Sequence, residues 1–135
     1  MYQELIKLRQ ALEILSLDQV ILKNFPYACC GNASNLVATY LEAQGYGGFE
    51  YVLGQNEEET KSHAWLFSLQ SNSIVDLTAD QFGFDEIVYI SAENYPLLEL
   101  FPKQENKGNA SIFSGTNLDN VYYFTYKKLL DYLGN

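Results

Sequence analysis

Three side chains in this sequence have the types and the spacing that suit nucleophilic chemistry: Cys30, His63 and Asp76. A thiolate attacks carbonyl carbons, an imidazole takes up the thiol proton, and a carboxylate can orient the imidazole. Taken alone, each residue has an ordinary structural role, because free cysteines often pack as small hydrophobes and most histidines do not catalyse. The three side chains must therefore meet for a site to exist.

Cys30 stands at the start of a helix predicted to end near Ala43. Its apolar positions recur at helical spacing, and they are Ala33, Leu36, Val37, Tyr40 and Leu41. Gly45 and the Gly47-Gly48 pair are expected to end this helix. The positive end of a helix dipole favours a thiolate over a thiol. Cys29 stays open as the rival nucleophile, since a helix boundary is uncertain by one or two residues.

His63 and Asp76 fall on two neighbouring strands predicted to form a hairpin. A two-residue turn at Gln70-Ser71 would pair Trp65 with Asp76 and make His63 a diagonal neighbour on the same face, at ~7–8 Å between backbones. A turn at Ser71-Asn72 would keep the shared face but widen the gap, and a three-residue loop would put the two on opposite faces. Because Asp76 interrupts an apolar strand, we expect a partner for its carboxylate.

The rest of the chain predicts the elements that hold these residues. An amphipathic helix is predicted over 2–15, followed by a short helix or turn over 16–24. Strands are predicted over 49–53, 62–69, 73–78 and 86–91. An irregular segment over 101–116 then leads to a last helix over about 117–133, with Thr116 and Asp119 at its cap. This order predicts an α+β fold, in which N-terminal helices carrying the cysteine pack on an antiparallel sheet carrying the histidine and aspartate, with a C-terminal helix. Residues 1–135 are predicted to form a single domain.

The charge of the chain disfavours several classes of partner. Its 135 residues include 17 Asp and Glu against 8 Lys and Arg, a net charge of −9. Nucleic acids and anionic membranes both attract basic patches, so neither is an expected partner. No apolar run approaches the ~20 residues that span a bilayer, and no secretory leader is apparent. We expect a cytoplasmic protein, and export by a route without a signal peptide stays open.

Both cysteines of the chain, Cys29 and Cys30, are adjacent. Neighbouring cysteines cannot close a long loop, so a disulfide framework is not expected, and free thiols fit a reducing compartment. With one histidine and no Cys-x-x-Cys pair, the sequence predicts no metal site and no cofactor.

The sequence around these residues resembles the papain-like superfamily, and within it transglutaminase-like proteins and bacterial papain-fold toxin domains. The resemblance covers residues 25–82 and rests on a cysteine at a helix start, on His63-Ala64-Trp65 and on Val75-Asp76-Leu77-Thr78. It implies that Cys30 is the nucleophile, His63 the base and Asp76 the orienting carboxylate.

The small residues Gly31-Asn32-Ala33-Ser34 resemble those that follow the family's nucleophile, which favours Cys30 over Cys29. Gln81 is a candidate for substrate binding or oxyanion stabilisation, with an ordinary role in a turn as its alternative. Lys23 and Asn24 stand where papain-type enzymes have a glutamine that donates to the oxyanion. Backbone N–H groups at the helix start could serve instead.

We therefore expect a thiol-dependent hydrolase or acyltransferase that acts on an amide bond of a protein or peptide. Protease, amidase, glutamine deamidase and transglutaminase all fit this chemistry. The alternative is a catalytically weak or inactive papain-like fold that serves as a protein-binding or immunity-type module. A third interpretation is a structural domain in which the three residues coincide by chance.

Overall fold

The computed structural model describes residues 1–114 and 120–134. Within them lie the helices α1 (Tyr2–Leu15), α2 (Cys30–Ala43) and α3 (Asn120–Leu133). Between α2 and α3 come the strands β1 (Glu50–Gln55), β2 (Ser62–Ser68), β3 (Ser73–Asp76), β4 (Val88–Ser91) and β5 (Lys103–Asn109). The order of helices and strands confirms the predicted α+β class.

The five strands form one antiparallel sheet in the order β4-β3-β2-β1-β5. Strand β2, which carries His63, is therefore central, and β3, which carries Asp76, is its neighbour. A central strand has both backbone edges paired, which holds its side chains in a fixed register. The predicted antiparallel sheet is confirmed.

Helices α1 and α2 form as predicted, each burying one apolar face. Leu5, Leu8, Leu12 and Leu15 of α1 are buried, as are all five apolar positions predicted for α2. Helix α2 packs on β2, while α1 packs on α3. Gly45 follows α2 with a φ of 88°, a left-handed conformation that suits glycine and ends the helix.

The β2–β3 hairpin adopts the register predicted for a two-residue turn. Leu66 pairs with Val75 and Ser68 with Ser73. The same register, continued by one pair, sets Trp65 opposite Asp76. His63 and Asp76 therefore share a face of the sheet.

The prediction of an irregular segment over 101–116 is wrong for its first half. Residues Lys103–Asn109 form β5, which pairs with β1 and carries mostly exposed side chains. Its sequence, Lys-Gln-Glu-Asn-Lys-Gly-Asn, has no apolar alternation because it is an edge strand held by backbone pairing. Such a strand leaves no hydrophobic signal in the sequence.

Other boundaries differ by a few residues. Strand β4 begins at Val88, two residues after its predicted start, and β3 ends at Asp76. The segment over 16–24 contains a single 3-10 turn at Val20–Leu22. The predicted cap at Thr116 and Asp119, and the predicted start of α3 at Asn117, lie outside the described residues.

The sheet separates two buried clusters. The helix-side cluster joins α1, α2 and α3 to Leu66 and Val75 of the sheet and to Leu77, which follows β3. The aromatic cluster covers the opposite face and contains Val52, Trp65, Ile74, Ala79, Val88, Tyr95, Leu97 and Phe101. Alternation along β2 sends successive side chains to the two clusters.

Over the described ranges 1–114 and 120–134, the helices lack the combination of length and apolar composition needed to cross a membrane.

Candidate functional site

His63 and Asp76 form a buried pair on the aromatic face of the sheet. The ring atom Nε2 of His63 lies 2.7 Å from Oδ2 of Asp76. The two residues are 0% and 3% exposed. A carboxylate only accepts hydrogen bonds, so Nε2 carries the proton and donates it. The predicted partner of Asp76 is thus His63, and Nδ1 of the ring is left for another contact.

Two further groups hold the Asp76 carboxylate. The hydroxyl of Tyr95 donates to Oδ2 at 2.6 Å, while the backbone N–H of Thr78 donates to Oδ1 at 2.9 Å. The hydroxyl of Thr78 also lies 3.3 Å from Oδ1. Both oxygens of this buried carboxylate are therefore satisfied, which fixes its orientation and hence that of His63.

Cys30 is half-buried and lies against His63. Burial alone would raise the pKa of its thiol, but the hydrogen bond with His63, the positive charge of that ring and a hydrogen bond from the backbone of Ala64 outweigh burial. The net effect lowers the pKa of Cys30 from its ordinary 9.0. The arrangement favours a thiolate paired with an imidazolium.

The pKa of His63 is shifted in the complementary direction. Burial of the ring would lower its pKa, but the hydrogen bonds with Asp76 and Cys30 and the negative charges of both partners raise it from 6.5 to about 9. The rings of Phe82 and Phe101 pack on the imidazole at centroid distances of 5.0 and 5.7 Å. Aromatic packing excludes water from the ring and strengthens its remaining polar contacts.

Cys29 occupies a different environment, although it is the next residue. It is the N-cap of α2 and is 4% exposed. Burial and the neighbouring Cys30 raise the pKa of its thiol to about 11, with partial compensation from Arg9. His63 lowers the pKa of Cys30 and is not among the groups that act on Cys29, which favours Cys30 as the nucleophile.

The segment before the two cysteines is strained. Ala28 has a φ of 60°, in the left-handed region that residues with a side chain rarely adopt. Such strain is stored where the surrounding structure fixes the chain, and here it precedes the first turn of α2 directly.

Gln81 also reaches the site. Its side-chain amide nitrogen lies 3.4 Å from Nδ1 of His63, the ring nitrogen left for Cys30. Turned by half a rotation, the same amide would offer its oxygen to a protonated Nδ1. Gln81 is therefore in contact with the predicted triad.

A buried arginine holds the segment that carries Gln81. Arg9 of α1 forms a two-pronged ion pair with Asp80, with both N–O distances at 2.9 Å, and donates to the carbonyl oxygen of Leu77 at 2.8 Å. It also donates to the carbonyl oxygen of Glu86 at 3.3 Å. Forked contacts of this kind fix geometry as well as charge.

Sequence reasoning did not identify Tyr95, Arg9 or Asp80 as parts of this arrangement. Tyr95 is one of eleven tyrosines and follows a short 3-10 turn, with no motif around it. The one available signal for Arg9 was its place next to Leu8 on the apolar face of α1, since a buried charge needs a partner.

Comparisons with family models, curated proteins and solved structures found no match. The chemistry of the site must therefore be argued from its own residues. Among residues 1–114 and 120–134, no group of three or more His, Cys, Asp or Glu side chains could hold a metal ion. The arrangement can generate a thiolate beside a protonated imidazole, which is the starting state for attack on an acyl carbon.

Proposed function

We propose that this chain is a thiol-dependent hydrolase or acyltransferase acting on an amide bond, in a papain-like or transglutaminase-like variant of the α+β fold. Cys30 is the nucleophile, His63 the general base and acid, and Asp76 the orienting carboxylate. One observation carries the proposal: a buried carboxylate holds His63 at 2.7 Å, and this ring acts on Cys30 at the start of α2 and lowers the pKa of its thiol.

Each step of the reaction uses these groups. The Cys30 thiolate attacks the carbonyl carbon, a C–S bond forms, and the π electron pair moves to the oxygen. When the carbonyl re-forms, the C–N bond breaks and His63 gives its proton to the leaving amine. Water or a second amine then attacks the thioester, His63 takes the proton of this nucleophile, and the thiolate leaves.

The proposed substrate is a protein or peptide. With a net charge of −9, the surface repels nucleic acids and suits peptides that carry basic or neutral side chains. Two free thiols fit a reducing compartment, so we assign the activity to the cytoplasm.

Alkylation by iodoacetamide at about pH 6 tests the nucleophile, because an ordinary thiol is under ~1% ionised there. Rapid labelling is expected in the wild type and in Cys29→Ala, and its loss in Cys30→Ala. Slow labelling in all three proteins, at the rate of a free thiol, would contradict the proposal.

The acyl-transfer step needs a separate measurement. Mixing with excess p-nitrophenyl acetate should release a burst of about one p-nitrophenolate per chain, as a thioester accumulates on Cys30. Cys29→Ala is the matched control and should retain the burst, whereas Cys30→Ala should lose it. A burst of equal size in both variants would place the acyl group elsewhere.

A protein-binding module is the second candidate, and the complete burial of His63 favours it. A ring without exposed surface passes a proton to a leaving amine only if the site opens or the amine enters beside Cys30. In a binding module, the charged pair of Cys30 and His63 would have only a structural role. Rapid alkylation of Cys30 without any acyl burst would favour the binding module over the enzyme.

A further inference from the structure

Tyr51 lies beside the nucleophile on the helix side of the sheet. It stands on β1 opposite Leu66 of β2, and its ring packs against the helix-side cluster. From there the side chain reaches the first turn of α2. The negative charge of Cys30 acts on its hydroxyl, so the two groups lie within electrostatic range of each other.

A glycine makes this approach possible. A Cβ atom at Gly31, the residue after the nucleophile, would lie 2.5 Å from the Tyr51 hydroxyl oxygen and 3.5 Å from the ring carbon Cζ that bears it. The first distance is a steric overlap and the second an ordinary contact. The hydroxyl therefore occupies the space that a side chain at Gly31 would fill.

The hydroxyl of Tyr51 has no protein acceptor within the described ranges. Other polar groups near the triad are engaged, since Tyr95 and Thr78 donate to Asp76 and the Gln81 amide lies on His63. Burial and the charge of Cys30 also raise the pKa of Tyr51 to about 12, so the hydroxyl keeps its proton at neutral pH.

Attack by a thiolate on a carbonyl needs such a donor. As the C–S bond forms, negative charge develops on the carbonyl oxygen, and pre-positioned N–H or O–H groups stabilise this charge. The backbone N–H groups of the first turn of α2 have no acceptor within the helix and are further candidate donors.

The geometry points to Tyr51 as the side-chain oxyanion donor of this site. Its hydroxyl would donate to the substrate oxygen, together with backbone N–H groups at the start of α2. This inference rests on the proposed acyl-transfer function and adds a residue to it. Gly31 then has a defined role, which is to leave room for that hydroxyl.

Two reactions distinguish formation of the Cys30 thiolate from stabilisation of the oxyanion. Alkylation by iodoacetamide forms no oxyanion and reports Cys30 and His63 alone, whereas acylation by p-nitrophenyl acetate passes through one. We expect Tyr51→Phe to slow acylation about 100-fold, the lower end of the range for loss of one oxyanion donor, with less than about a twofold change in alkylation. Tyr89→Phe, on the far edge strand, is the matched control.

A double-mutant cycle with Gly31 sharpens the test. Gly31→Ala should slow acylation because its Cβ displaces the hydroxyl, while alanine suits the helix and preserves folding. In the Tyr51→Phe background the nearest ring atom is at ordinary contact distance, so Gly31→Ala should cause no further loss. Independent effects that multiply would overturn the assignment.

The outcomes distinguish this inference from the proposed function. Unchanged acylation in Tyr51→Phe, or equal losses of acylation and alkylation, would overturn the role of Tyr51 and leave the triad standing. Acylation that does not depend on Cys30 would overturn both. A selective loss of acylation, absent from Tyr89→Phe, supports the assignment.

Discussion

The two sides of the first turn of α2 provide opposite surroundings for two adjacent cysteines. On one side, Cys30 contacts His63 and its thiol pKa is lowered. On the other, Cys29 is buried near Arg9 and its thiol pKa is raised to about 11. We refer to the first as the thiolate side (Cys30, His63, Asp76, Tyr95) and to the second as the anchor side (Cys29, Arg9, Asp80).

The difference shows that a helix start does not by itself activate a cysteine. Both sulfur atoms lie at the same helix terminus, yet only the one with a hydrogen-bonded imidazole is shifted toward the thiolate. Burial raises the pKa of both thiols, and the contact with His63 decides the outcome for Cys30. The anchor side fixes the chain, whereas the thiolate side carries the groups to which we assign the proposed chemistry.

The largest effect that tests this division is expected for His63. Replacing a general base costs about 10²- to 10⁴-fold in rate, so His63→Ala should reduce the rate of acylation by p-nitrophenyl acetate by that factor. His63→Gln is a second variant for the same test, because glutamine fills more of the buried space left by the imidazole than alanine does. Arg9→Met, on the anchor side, should reduce the rate much less, because Arg9 pairs with Asp80 and contacts none of the three groups of the proposed triad. Equal losses of acylation rate in the His63 and Arg9 variants would contradict the division into a thiolate side and an anchor side.

A smaller but clear effect is expected on stability. Asp76→Ala leaves the buried His63 and the Tyr95 hydroxyl without their acceptor, and loss of one partner of a buried pair costs about 3–5 kcal/mol in free energy of unfolding. Asp80→Ala should cost less, about 1–2 kcal/mol, because Arg9 keeps two carbonyl acceptors. Urea denaturation measures both, and a larger loss for Asp80→Ala would contradict this ranking.

The smallest effect is a change in how stability depends on pH. His63, raised from 6.5 to about 9, stabilises the fold fully below pH 6.5 and loses this contribution as the pH rises to about 9. Cys30, lowered from 9.0, stabilises the fold above pH 9.0 and loses its contribution as the pH falls through the lowered value. Between pH 6.5 and 9 the stability contribution of His63 falls as the pH rises, whereas that of Cys30 increases.

Wild-type stability should therefore fall less steeply with pH across that window than the contribution of His63 alone would make it fall. In Cys30→Ser only the contribution of His63 remains, supported by Asp76, and stability should fall as the pH rises. Urea midpoints measured at several pH values check this expectation. Identical profiles for the wild type and Cys30→Ser would mean that the two groups are not coupled.

The sequence predicted those parts of the site that depend on local pattern. Helix α2 begins at Cys30 and ends at Ala43 as its spacing indicated. Alternation within the hairpin put His63 and Asp76 on one face, and the polar residue in an apolar strand had the partner it required. Between Cys29 and Cys30 the sequence alone left the choice open, because one residue lies within the uncertainty of a helix boundary.

The remaining parts depend on contacts between distant segments. Tyr95 reaches Asp76 across 19 residues, and Arg9 reaches Asp80 across 71. Such contacts follow from how the elements pack, and neither spacing nor composition specifies them. Strand β5 was missed for a related reason, since backbone pairing with β1 holds it and its side chains face solvent.

The most direct test of the account is a pH titration of thiolate ultraviolet absorbance. We predict a thiolate that forms below pH 9.0, is retained in Cys29→Ser, disappears in Cys30→Ser and forms at higher pH in His63→Gln. A Cys30 thiol that titrates at or above pH 9.0, or whose titration does not respond to His63→Gln, would contradict the central claim.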